Sequence, residues 1–152
     1  MNPPRVEIRP AGTADAPTVA ALEELSLADP WTEAMVAGSL DDPSTVAFVA
    51  ESSGAALGYS VFQLAGDGLE LLRLGVDPAW RRAGIGGELV ARGLAEGLDR
   101  GLVACFLEVR CDNLPARRLY ERLGFVLAGG RRRYYADGTD ACVYRRDLLS
   151  FG

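Results

Sequence analysis

The segment Val76-Asp77-Pro78-Ala79-Trp80-Arg81-Arg82-Ala83-Gly84-Ile85-Gly86-Gly87 constrains the fold of this chain more than any other stretch. A β-rich run, Leu69 to Val76, ends there in a turn, and a helix with Leu89, Val90, Leu94 and Leu98 at helical spacing opens through closely spaced glycines. A buried-looking strand, Leu102 to Val109, follows, so the segment reads as the crossover of a βαβ unit. Glycines at a helix start let backbone N–H groups approach a ligand without a Cβ in the way. With the helix dipole, Arg81 and Arg82 they suit phosphate groups. A tight strand-to-helix turn with a solvated arginine pair gives the same pattern. A Walker P-loop is excluded, because no lysine follows the glycines.

Around this unit the chain punctuates itself clearly. Arg5 to Arg9 alternates like a short strand, and a helix with Pro17 in its first turn carries Val19, Leu22 and Leu25 at helical spacing. Asp29-Pro30-Trp31-Thr32 breaks it, Thr32 caps a second helix with Met35, Val36 and Leu40, and Asp42-Pro43 ends that one. Thr45 to Glu51, Leu57 to Leu64 and Leu69 to Val76, joined at Ser52-Ser53-Gly54 and Gly66-Asp67-Gly68, form an antiparallel meander. Downstream, Asn113 caps a helix from Leu114 to Leu123 that stops at Gly124. Phe125 to Ala128 and Ala141 to Leu148 close the sheet as a strand pair, with a turn at Asp137-Gly138 in their connection.

Composition narrows the chemistry. A chain of 152 residues, 49% hydrophobic and 24% charged, is expected to form one globular domain over residues 1–152. Histidine is absent, which removes Ser-His-Asp and Cys-His catalysis, His-ligated zinc and an imidazole base; no metal site is expected. A net charge of −5 disfavours a general nucleic-acid binder, and the longest apolar runs fall far short of a membrane span. Cys105, Cys111 and Cys142 form no C-x-x-C pair, and an odd count without a signal-peptide pattern points to reduced thiols in the cytoplasm. Charge is uneven: residues 1–80 carry −9 and residues 81–152 carry +4, with every cation an arginine. That reads either as two functional sides or as surface drift.

A second constellation runs from Leu107-Glu108-Val109-Arg110 through Asn113-Leu114-Pro115-Ala116-Arg117-Arg118-Leu119-Tyr120 to Gly124-Phe125. Glu108 is the odd member of an apolar strand and by alternation shares a face with Ala104 and Phe106. Partial desolvation there would raise its proton affinity and suit a general base. An ordinary strand-end glutamate paired with an arginine fits as well. Tyr120 lies on one helical face with Ala116 and Leu123, the default place for a core tyrosine.

Together these blocks resemble the GNAT superfamily of N-acetyltransferases over nearly the whole chain. The resemblance rests on Arg81-x-x-Gly84-x-Gly86 after a strand and on Asn113-x-x-Ala116-x-x-x-Tyr120-x-x-x-Gly124-Phe125. It implies an α/β fold with about four helices and a mixed sheet of about seven strands, splayed between the strands ending at Val76 and starting at Leu102. Acetyl-CoA, the acetyl donor, would lie in that splay against Leu74, Gly75 and Val76. Its pyrophosphate would sit on Arg81, Arg82, Ala83, Gly84, Ile85, Gly86 and Gly87, with Asn113, Ala116 and Tyr120 beside it. Within the superfamily the chain is most similar to bacterial ribosomal-protein-alanine N-acetyltransferases, through Pro30-Trp31-Thr32, Leu107-Glu108-Val109-Arg110, Leu119-Tyr120-Glu121 and Arg133-Tyr134-Tyr135 before Asp140-Ala141. Arg73-Leu74-Gly75 departs from that subfamily's small or polar residue and alanine.

The resemblance makes Glu108 the general base, acting through a water, and Tyr120 the acid that protonates the departing thiolate in a ternary complex. Pro30, Trp31, Thr32, Tyr134 and Tyr135 would grip a protein N-terminus, that of a small-subunit ribosomal protein. Glu23, Glu24, Asp29 and Glu33 would form an acidic rim, with Arg131, Arg132 and Arg133 turned away from the groove. Acetylation of a small amine or lysine side chain, a non-catalytic acetyl-CoA-binding module and an acyl-enzyme on Cys111 are the alternatives. Oligomeric state is not readable from the sequence.

Overall fold

The computed structural model describes residues 5–148. Among them seven strands form one mixed sheet in the order β1-β2-β3-β4-β5-β7-β6. The strands are β1 (Glu7–Pro10), β2 (Thr45–Ser52), β3 (Ala55–Ala65), β4 (Gly68–Val76), β5 (Ala104–Arg110), β6 (Val126–Arg131) and β7 (Ala141–Asp147). Only β4 and β5 are parallel, because α3 (Ile85–Asp99) crosses between them; every other pair is antiparallel.

Helices cover both faces. Helices α1 (Ala16–Ser26) and α2 (Glu33–Asp41) bury Val19, Leu22 and Val36 against Ala47, Val49, Tyr59 and Val61. Helices α3 and α4 (Leu114–Arg122) bury Ile85, Leu89, Val90 and Tyr120 against Phe48, Phe62, Leu69, Leu71, Cys105 and Leu107 on the opposite face. Strand alternation thus sends Cys105, Leu107 and Val109 toward α3 and α4, and Phe106 and Glu108 the other way. Helices α1 and α2 lie over β2 to β4, and Phe106, Glu108 and Arg145 beyond them stay partly exposed.

Local chemistry sets the element ends. Thr32 Oγ1 takes the Met35 N–H at 3.2 Å and Asn113 Oδ1 takes the Ala116 N–H at 3.2 Å, both N-caps. The buried stripe of α1 is Val19, Leu22 and Glu23, so Leu25 does not join the core and is 58% exposed. Cys105 is fully buried in the core, and burial pushes its thiol up to about 12.

The expectation of three reduced thiols is overturned: Cys111 and Cys142 are disulfide-bonded, with Cα atoms 5.2 Å apart. Sheet register brings them together, since Cys142 lies opposite Val109 on β5 and the Cys111 N–H donates to the Asp140 carbonyl at 3.0 Å.

Candidate active site

Strands β4 and β5 pair at only three positions, Leu69–Cys105, Glu70–Phe106 and Leu71–Leu107. Beyond them β4 continues along β3 to Gly58–Val76, and β5 continues along β7 to Arg110–Ala141. A bulge at Leu72, where the register moves from Phe62–Leu71 to Val61–Arg73, starts the divergence. The ladder phase then decides which amides face the gap. Asp77 N–H donates to the Leu57 carbonyl at 2.8 Å, so Gly75 and Asp77 bond to β3, and Leu74 and Val76 turn their N–H groups toward the splay. The Val76 carbonyl consistently accepts from Ser26 Oγ at 3.2 Å. Gly75 has its own constraint: a Cβ there would stand 2.5 Å from the Tyr59 ring.

The splay opens into a cavity of about 550 Å³ that reaches the start of α3. Of the residues the sequence assigns to the cofactor, Leu74, Gly75, Val76, Arg81, Arg82, Gly84, Ile85, Gly86, Gly87, Asn113 and Ala116 line it. Ala83 and Tyr120 are not in the lining. Gly84 adopts φ 80° and Arg82 φ 69°, left-handed conformations that fold the turn back on the helix start. There the first-turn amides of a 15-residue helix and the side chains of Arg81, Arg82 and Arg122 meet one opening. Ser26, Leu27, Trp80, Pro115, Leu119 and Arg122 also line the cavity and were not anticipated. The residues present fit a long anionic molecule with an extended arm: amides on a strand edge, then a cationic glycine turn.

Glu108 and Tyr120 lie on opposite faces of β5, Glu108 one residue beyond the last β4–β5 pair and Tyr120 in the core under α4; neither lines the cavity. Tyr120 packs edge-to-face on Phe125 with ring centres 5.9 Å apart, and burial pushes its hydroxyl up to about 12. It is therefore a neutral phenol at pH 7, protonated as a proton donor must be. The Glu108 side chain is 22% exposed, and Arg131 Nε donates to its Oε1 at 2.7 Å. The arginine-paired alternative therefore describes this state, with Arg131 set against the candidate base. Arg131 also lies 5.7 Å from the Tyr134 ring centre, and Glu108 raises the Tyr134 phenol by hydrogen bonding and charge. Tyr134 and Tyr135 meet edge-to-face at 5.2 Å, with Arg110 over Tyr135.

A further carboxylate belongs here. Glu70 shares the Glu108 face, one diagonal step away across the last paired residues of β4 and β5. It has no hydrogen-bond or ionic partner among the described residues. Its carboxyl is raised, first by burial and then by the negative charge of Glu108. The sequence signal was its place between buried Leu69 and Leu71, in phase with Glu108.

Glu23 does not belong to the acidic rim. It is fully buried, paired with Arg73 and bonded to the Trp31 amide, while Glu24, Asp29 and Glu33 remain exposed.

A splayed mixed sheet with a cationic glycine turn at one end and an acidic, aromatic-edged face at the other defines an acyl-transferring cleft. The chain belongs to the acetyltransferase (GNAT) family, whose pattern matches residues 16–125, and is an N-acetyltransferase. It is 40% identical over 124 residues to an N-alpha-acetyltransferase of Mycobacterium tuberculosis, spanning 78% of this chain and 77% of that one. To the ribosomal protein bS18-alanine N-acetyltransferase of Escherichia coli it is 32% identical over 133 residues, 86% of this chain and 89% of the other. The crystal structure of the ribosomal-protein-S18-alanine N-acetyltransferase from Escherichia coli superimposes with a TM-score of 0.90 at 31% identity, over 97% of each chain. A coenzyme A complex of an acetyltransferase from Thermoplasma acidophilum shares the fold at 17% identity.

Proposed function

We propose that this enzyme transfers acetyl from acetyl-CoA to the N-terminal α-amine of a protein, a small-subunit ribosomal protein, by direct attack in a ternary complex. The observation that carries the reading is the two-sided splay. Cofactor-suited groups line its cavity on the α3 and α4 face, and Glu108 and Glu70 sit on the opposite face of the sheet beside the last paired residues of β4 and β5. The relatives named for bS18 and for N-alpha-acetylation support the choice of acceptor.

Arg81, Arg82 and the first-turn amides of α3 would hold the pyrophosphate, and the Leu74 and Val76 amides would hold the pantetheine arm and thioester carbonyl. The donor supplies an activated acyl group on a thiolate leaving group. An α-amine with a pKa near 8 is mostly protonated at pH 7, and each unit costs about 1.4 kcal/mol to overcome. Glu108 would take that proton through a water, and Tyr120 would protonate the thiolate. Pro30, Trp31, Thr32, Tyr134 and Tyr135 would flank the acceptor chain. Direct attack is favoured over an acyl-enzyme because neither Cys105, which is buried, nor Cys111, which stands against Cys142, lines the cavity. The cytoplasm is the compartment this acceptor requires, and no helix of the described residues is long and apolar enough to cross a membrane.

The test is turnover in Glu108→Gln and Tyr120→Phe. Glu108→Gln loses roughly 100-fold or more in kcat with acetyl-CoA affinity nearly unchanged, and Tyr120→Phe is slowed while folded. Wild-type rates in both variants would remove the assigned roles.

A further inference from the structure

The loop between α1 and α2 is anchored by a buried cluster that the chemistry above does not use. The Glu23 carboxylate accepts the Trp31 N–H at 2.7 Å, the Tyr59 hydroxyl, and Arg73 through Nη2 at 2.5 Å and Nε at 3.1 Å. Arg73 Nη2 also donates to the Asp29 carbonyl at 2.9 Å, and its guanidinium lies 4.9 Å from the Trp31 ring centre. The pair therefore supplies one acceptor and one donor to backbone groups on either side of Pro30. Arg73 is the first residue beyond the bulge of β4, where that strand leaves β5, and the next residue, Leu74, lines the cavity. The same helix end is tied again to the cavity wall through Ser26, whose hydroxyl meets the Val76 carbonyl and whose own carbonyl accepts from Arg81 at 3.2 Å.

We propose that Arg73 and Glu23 are positioning residues for the acceptor, their ion pair fixing the Asp29–Thr32 loop and the Trp31 ring against the strand that lines the cofactor cleft. A buried ion pair is a poor source of stability, since apolar residues of similar volume often serve the fold as well. What apolar residues cannot do is bind the Asp29 carbonyl and the Trp31 amide, so the specific product of this pair is the loop's geometry. The inference rests on the reading that this loop contacts the acceptor peptide. It also gives Arg73, the departure from the subfamily pattern, a defined task.

Steady-state kinetics with a free-N-terminus peptide beginning Ala-Arg tests it. In Arg73→Gln the peptide KM rises roughly tenfold or more, while acetyl-CoA KM and kcat at saturating peptide stay within about twofold. Arg73→Lys, which keeps the charge without the planar fork, falls between. In a Trp80→Phe background, Trp31 emission moves to the red with Arg73→Gln, which a purely structural loss elsewhere would not produce. If the single variant fails to fold, Glu23→Met with Arg73→Leu and Tyr59→Phe leaves no stranded side-chain polar group and must show the same peptide KM rise. An unchanged peptide KM alongside a lowered melting temperature overturns the proposal. A wild-type enzyme that ignores the peptide overturns the functional reading and this proposal with it, whereas normal wild-type turnover with indifferent variants overturns this proposal alone.

Discussion

Arg131 on β6 holds the carboxylate of Glu108 on β5, Nε to Oε1 at 2.7 Å, across a strand that lies between them in the sheet. On the proposed function, the carboxylate assigned as base already carries a cation where an incoming ammonium would sit. Arg131 is 57% exposed along its side chain, so the pair adds little to stability, about 0 to 1 kcal/mol. Its effect falls on substrate binding. Arg131→Ala lowers the KM for a cationic acceptor by roughly three- to tenfold, with the melting temperature nearly unchanged. A raised KM would make Arg131 a substrate ligand instead.

The cationic turn predicts a ligand-stability linkage. Acetyl-CoA at about 100 times its Kd raises stability by about 2.7 kcal/mol, and Arg81→Ala with Arg82→Ala reduces the thermal shift at the same concentration. Both side chains are exposed, so the doubly substituted protein folds normally without ligand. A full shift in that protein would contradict the phosphate assignment.

Glu70 gives a pH signature. Burial first, and the Glu108 charge second, raise its carboxyl above the ordinary value of 4.5. The folded protein binds this proton more tightly than the unfolded chain does, so the contribution to stability is complete below that value and is lost as pH rises through the folded one. Glu70→Gln removes the dependence. Its melting temperature gains on wild type as pH rises above the ordinary value of 4.5, and a difference independent of pH would contradict the account.

The disulfide predicts a thiol count. One thiol titrates in denatured protein before reduction and three afterwards, and closing a loop of 31 residues stabilises by about 3 to 4 kcal/mol. A reducing cytoplasm would open the bond, leaving the protein with lower stability and the same register. Three thiols without reduction would contradict the pairing.

How much of this was legible in the sequence follows the distance over which each feature is decided. The strand, turn and helix from Leu69 to Asp99 were readable because alternation, glycines and helical spacing are local, and so were the caps at Thr32 and Asn113. The disulfide was not, since Cys111 and Cys142, 31 positions apart, become adjacent only through the register of β5 on β7. Arg131 meets Glu108 through a second register, that of β6 on β7, which shifts between Leu127 and Gly129. Glu23 was misread as surface although it follows Leu22 on the stripe with Val19; helical spacing placed it inside, and its partner 50 residues away permitted that.

The central claim, a free protein N-terminus as acceptor, is tested most directly by one competition measurement. The enzyme with acetyl-CoA is given equal amounts of a free-N-terminus peptide beginning Ala-Arg, an N-terminally blocked copy with an internal lysine, and spermidine, and products are quantified by mass spectrometry. Freeing an α-amine at pH 7 costs about 1.4 kcal/mol against about 4.6 for a lysine, so a carboxylate base suffices for the former. The account predicts acetyl on the α-amine of the first peptide, in clear excess over both others. Preference for spermidine or for the blocked lysine peptide would contradict it.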